Sequence, residues 1–167
     1  MIVCMASGKG TNFENLIKHG IKIDLVISNN KNAKVLDKAT KSSVQCITSV
    51  KDYVLHVPEH TTIVILAGFM RILSKEFVNK HKVVNIHPSL LPSFRGKDAV
   101  LQALNAGVKL SGCTVHWVDE GMDTGKIIEQ ASCPVWEDDT VASLHKRIHS
   151  LEHKIFPEAI HNILRTI

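Results

Sequence analysis

Short apolar, β-branched runs alternate with amphipathic stretches along the first half of the chain. MIVCMA at 1–6, IDLVIS at 23–28, the weaker VQCI at 44–47, TTIVILA at 61–67 and KVVNIH at 82–87 read as strands. Runs of this length, rich in valine and isoleucine, suit a pleated surface buried on both faces. The stretches between them at 12–19, 31–41 and 74–80 have helical length, and Gly20 suits the end of the first. Residues 49–60 support only a short helix or a loop before Pro58. Strand and helix in alternation predict a three-layer α/β/α fold, a mostly parallel open sheet with helices on both faces.

Beyond a proline-rich loop at 87–96, the pattern predicts a helix over 98–106 closed by Gly107. Two strands follow, at 112–118 and 126–136, joined by a tight turn at 119–125 and so paired antiparallel. Val141, Leu144, Ile148, Leu151 and Ile155 then recur every three or four residues, the stripe of a helix lying on the sheet. Asp138 or Asp139 is the expected cap of that helix. No internal repeat, low-complexity tract or Gly/Ser linker interrupts the pattern, so residues 1–167 are expected to form one domain.

Composition narrows the class. With 44% hydrophobic and 22% charged residues, disorder and fibrous repeats are excluded. The apolar start at 1–6 is too short for a secretory h-region, and no later run reaches the roughly 18 residues of a membrane helix. A cytoplasmic protein is expected. Cys4, Cys46, Cys113 and Cys133 are widely spaced without C-x-x-C, which suits free thiols in a reducing compartment and gives no metal site. The net charge of +4 is mild and spread along the chain. Nucleic acid is not called for, whereas small anionic substrates would be steered inward.

Three stretches carry candidate chemistry. SGKGTN at 7–12 follows the first strand and opens the first helix. Its glycines allow close approach of an anion, and the free amides of the helix start point at it. It lacks the third glycine of a dinucleotide fingerprint. NIHPSLLPSFRG at 85–96 ends the fifth strand, where alternation puts Asn85 and His87 on one face. VDEGMDTG at 118–125 brings three carboxylates into a turn in which glycines flank Asp123, and a carboxylate beside a histidine orients the imidazole. His116 reads as a structural strand residue, Trp117 and Trp136 as packing, and Arg71, Arg95 and Lys97 as solvated charges.

Taken with ASGKGTNFENL at 6–16, LAGFMRILS at 66–74, QALNAGVKLSGCTVHWVDEGMDTGKIIEQ at 102–130 and LEHKIFP at 151–157, these motifs resemble the glycinamide ribonucleotide formyltransferase family over nearly the whole chain. The resemblance implies a Rossmann-like formyltransferase fold. It implies transfer of formyl from 10-formyltetrahydrofolate, as co-substrate and without a metal, to glycinamide ribonucleotide in purine biosynthesis. Asn85, His87 and Asp123 would be the catalytic trio. Gly10, Thr11 and Asn12 would bind the ribonucleotide phosphate and Glu152 its ribose. Met70, Arg71, Ile72 and Leu73, with Asn85, Asp119, Glu120, Gly121, Met122 and Asp123, would line the folate pocket, largely through backbone groups. Partners would be these small molecules, with no nucleic acid and no membrane; a weak homo-oligomer is compatible with the sequence. Against the family pattern, the 46–61 region is short, the C-terminal extension of many members is missing, and Lys126 stands where proline usually follows DTG. Sister enzymes sharing the trio, formyltetrahydrofolate hydrolase and methionyl-tRNA formyltransferase, match less well at HPSLLP. A degenerate ligand-binding module is the rival from outside enzymology.

Overall fold

The computed structural model describes residues 1–167. Seven strands form one sheet: β1 (Ile2–Met5), β2 (Leu25–Ser28), β3 (Gln45–Thr48), β4 (Ile63–Leu66), β5 (Val83–His87), β6 (Leu110–Trp117) and β7 (Ile127–Pro134). They lie in the order β3-β2-β1-β4-β5-β6-β7. The pairs among β1 to β5 are parallel, while β6 is antiparallel to both β5 and β7. The helices are α1 (Thr11–Lys18), α2 (Lys34–Lys41), α3 (Lys75–Lys80), α4 (Ala99–Ala106) and α5 (Val141–Leu164), with a 3-10 turn at Tyr53–His56 where the sequence supports little more. The expected three-layer architecture is present.

Alternation along the strands builds two cores. Cys4, Val26, Ile63, Ile65, Val84, Ile86, Cys113 and Val115 face one way, onto Phe13 and Leu16 of α1 and Leu144, Ile148 and Phe156 of α5. Val3, Met5, Leu25, Ile27, Val64 and Val83 face the other way, onto Phe77 of α3 and Val57 beside the 3-10 turn. Asn85 and His87 share the parity of Val83 and so belong to this second face. Over β5 to β7 the second face carries loops in place of a helix, which is where a cleft opens.

The chain order reverses about β1, with β2 on one side and β4 on the other. In an open α/β sheet the carboxyl ends at such a switch diverge and leave a crevice for ligands. The 7–12 turn and the segment after β4 meet there: Ser7 N–H donates to the Gly68 carbonyl at 3.1 Å, and Met70 N–H donates to Ser7 Oγ at 2.8 Å.

Two local expectations need correcting. Neither Asp138 nor Asp139 caps α5; Thr140 does, in a reciprocal capping box with Ser143. Asp139 instead takes Arg147 at 2.8 Å, held well below the usual carboxylate range by that guanidinium and by Ser143. Trp136 is 57% exposed, with the Arg147 guanidinium 3.6 Å from its ring centroid, so it stacks on a cation outside the core.

Candidate active site

Antiparallel register assembles the reacting residues. Asn85 lies opposite His116 across β5 and β6, and His87 lies opposite Thr114. Directly opposed residues share a face of the sheet, so Asn85, His87, Thr114 and His116 form one patch. The turn after β6 then folds back over it. Asp123 closes that turn in the left-handed region at φ 54°, which aspartate tolerates better than most residues. Gly125 is required for close approach, because a Cβ there would meet the Trp117 carbonyl at 1.8 Å.

Each ring nitrogen of His87 has a neighbour. Nε2 lies 2.8 Å from the Phe94 carbonyl, which can only accept, so Nε2 carries hydrogen. Nδ1 lies 3.4 Å from Asp123 Oδ2, too long for a tight charge-assisted bond. Gly96 N–H donates to the same Oδ2 at 2.8 Å and fixes the carboxylate. The His87 and Asp123 side chains are 6% and 14% exposed, so water does little to screen a charge carried on either.

His116 joins this cluster, contrary to its reading as a structural residue. Its Nε2 lies 3.6 Å from Asp123 Oδ1 and 3.3 Å from Asn85 Nδ2. Nδ1 donates to the Trp117 carbonyl at 2.8 Å, so in the neutral ring Nε2 accepts. Burial pushes the His116 pKa below its ordinary value and favours that neutral ring. The Asn85 amide is thereby orientated with NH2 toward His116, leaving its second N–H for another acceptor. Sequence gave no signal for this, since a single strand histidine carries no spacing; only its pairing with Asn85 reveals it.

A second group lies at the start of α1. Gly10 has φ 69°, and a Cβ on it would lie 2.7 Å from Val35 Cβ, so glycine is needed for both conformation and space. The first helical bond runs from Glu14 N–H to the Gly10 carbonyl at 3.0 Å. The amides of Thr11, Asn12 and Phe13 are thus left without intrahelical partners. Asn12 Nδ2 donates to Glu152 Oε2 at 3.0 Å, and His149 Nδ1 reaches the same oxygen at 2.9 Å. Asn12 Oδ1 is buried with no donor. The predicted residues Gly10, Thr11, Asn12 and Glu152 therefore meet, joining α1 to α5.

The remaining predicted residues line the rim. Met70, Ile72 and Met122 are exposed at 78%, 77% and 52%, whereas Leu73 packs into the core. Arg71 is exposed. Asp119 spends its carboxylate on the turn, accepting from Gly121 N–H at 3.0 Å and Thr124 Oγ1 at 2.6 Å. Glu120 pairs with Lys75 at 2.8 Å and anchors the turn to α3. Side chains engaged in this way leave backbone groups for any ligand. A cavity of about 470 Å³ opens beside Asp123 between Leu91, Pro92, Arg95 and Lys126.

Residues 48–160 match the formyl transferase family. The chain is 44% identical over 180 residues to the human trifunctional purine biosynthetic protein adenosine-3, covering 95% of this chain and 18% of that protein. The chain belongs to the formyl transferase family. The Drosophila melanogaster trifunctional protein is 43% identical, with 95% of this chain and 13% of that protein covered. The chain thus spans less than a fifth of these curated relatives. Solved structures of the family superpose along its length. Phosphoribosylglycinamide formyltransferase from Anaplasma phagocytophilum matches with TM-score 0.93 at 40% identity, covering 99% of this chain and 87% of that one. The Bacillus halodurans enzyme of that name gives 0.91 at 34% identity, covering 98% and 94%.

Histidines partly or wholly withdrawn from water give the family member a pH signature. Desolvation pushes His81, His116 and His153 below their ordinary value of 6.5. Over the window from 6.5 down to those depressed values the unfolded chain binds more protons, so stability is lost as pH is lowered through that window. The denaturation midpoint is expected to be lower at pH 5.5 than at pH 7.5; an equal or higher midpoint contradicts this account.

Proposed function

We propose that the chain transfers the formyl group of 10-formyltetrahydrofolate to the primary amine of glycinamide ribonucleotide. The observation that carries this reading is the His87 ring, with Nε2 engaged by an acceptor-only carbonyl and Nδ1 turned to the Asp123 carboxylate at 3.4 Å. This arrangement suits a cation beside a developing oxyanion.

The amine nitrogen attacks the formyl carbon, and the carbonyl electrons move onto oxygen. The free N–H of Asn85 and the Nδ1–H of protonated His87 stabilise that oxygen. Preorganised donors in a dry site carry most of the catalysis in acyl transfers of this kind. Asp123, fixed by Gly96, takes a proton from the attacking nitrogen, directly or through one water. As the carbon–nitrogen bond to folate breaks, a proton from His87 or Asp123 reaches the departing nitrogen. The folate would rest on Met70, Ile72 and Met122 and on backbone groups of 119–123. These roles rest on chemistry and on the family resemblance together.

For the ribonucleotide, the free amides at Thr11 and Asn12 suit a phosphate. The unpartnered Asn12 Oδ1 beside the Glu152 carboxylate offers acceptors to hydroxyl donors, as a ribose presents. Glu152→Gln is therefore expected to raise KM for the ribonucleotide about 10-fold, the scale of a hydrogen bond to a charged group, with KM for the folate unchanged. An unchanged ribonucleotide KM removes Glu152 from that subsite. The reading itself is tested by incubating purified protein with both substrates and detecting the N-formylated ribonucleotide by mass spectrometry. Its formation supports the transferase; its absence contradicts it.

A further inference from the structure

One row of side chains crosses the antiparallel strands. His87 on β5 is opposite Thr114 on β6, and Thr114 is opposite Gln130 on β7. The row is bonded to the turn that follows β5. The Thr114 hydroxyl donates to the Ser89 carbonyl at 2.7 Å and accepts from Leu91 N–H at 3.0 Å. It also accepts from Gln130 Nε2 at 2.9 Å, and the same amide nitrogen donates to the Leu91 carbonyl at 2.9 Å. One donor and two acceptor positions are all a hydroxyl has, and Thr114 uses every one. The turn continues with Ser89 Oγ donating to the Ser93 carbonyl at 2.6 Å. The next residue, Phe94, supplies the carbonyl that accepts from His87 Nε2.

We propose that Thr114 and Gln130 are positioning residues for His87. By clamping both ends of the Ser89–Leu91 peptide pair they set the Phe94 carbonyl, which keeps the hydrogen on Nε2 and turns Nδ1 to Asp123. Neither residue touches a reacting atom. The catalytic consequence rests on the formyl-transfer reading, whereas the effect on the His87 tautomer does not. Thr114 is fully buried and Leu91 is 4% exposed, so water does not replace the lost bonds when the hydroxyl is removed. Misplacing a reacting group by about 1 Å typically costs up to about 100-fold in rate.

The test compares Thr114→Val, which keeps the shape without the hydroxyl, with Thr114→Ser, which restores it, and with Gln130→Met on the exposed edge strand, where folding is least at risk. We expect kcat to fall about 10- to 100-fold in Thr114→Val and Gln130→Met with both KM values unchanged, and Thr114→Ser to recover most of it. Nitrogen-15 histidine NMR in alkaline buffer is expected to report His87 with hydrogen on Nε2 in the parent chain and Thr114→Ser, and as a mixture of tautomers in the other two. A single Nε2–H tautomer in all four proteins overturns the proposal, as does loss of activity that moves with KM and is not rescued by serine. If the parent chain transfers no formyl group, the functional reading fails while the NMR comparison still decides the positioning claim.

Discussion

Replacing His87 by alanine is expected to lower kcat about 100- to 1000-fold, the usual result of removing one oxyanion donor. Both KM values should change little. His87 is 5% exposed behind Asn85 and the Asp123 turn, and the groups assigned to the ribonucleotide lie on α1 and α5. The variant also loses the bond to the Phe94 carbonyl and leaves a small cavity. A stability cost of about 1–3 kcal/mol, ordinary for a buried substitution, should therefore accompany the kinetic loss. Steady-state kinetics with thermal melting separates the two effects. A variant that melts normally and turns over at the parent rate removes His87 from the mechanism.

Asp123→Asn is expected to have a larger effect, on the order of 1000- to 10,000-fold in kcat, as when a carboxylate partner of a catalytic histidine becomes an amide. The fold should survive. Asparagine tolerates the left-handed backbone that Asp123 adopts, and its amide oxygen can still accept from Gly96 N–H. What disappears is the negative charge facing Nδ1 of His87 and Nε2 of His116, together with the acceptor for the amine proton. Single-turnover rates check this. A loss below about 10-fold with normal melting would mean that Asp123 supplies geometry alone, and the proton path assigned to it would be wrong.

The contrast between these two residues and His116 shows what a sequence can convey. Strand positions were legible because β-branched alternation is local: Val83, Val84 and Ile86 announce β5, and parity puts Asn85 with His87. The 7–12 turn was legible because glycine before a helix has few other uses. Asp123 stood out through its flanking glycines. His116 did not, because its role depends on register between two strands, and a one-residue slip would turn it to the other face. That register also carries an irregularity between Val115 and His116 against β7, which no local pattern announces. The cap of α5 is hidden from the sequence for a related reason. Asp138, Asp139 and Thr140 are all good capping residues, and the choice of Thr140 follows from Arg147 claiming Asp139 across two turns of helix. Helix α5 itself runs 24 residues and continues through Pro157, with Ile160 and Ile163 carrying the buried stripe on beyond it.

Transfer of formyl to the ribonucleotide amine is tested most directly with a donor carrying carbon-13 in its formyl group. The purified chain is mixed with labelled 10-formyltetrahydrofolate, with and without glycinamide ribonucleotide, and the label is followed by NMR. The account predicts that the label leaves the folate only when the ribonucleotide is present and appears wholly as its formamide. Label released as formate without the ribonucleotide, or retained on the folate under both conditions, would contradict it.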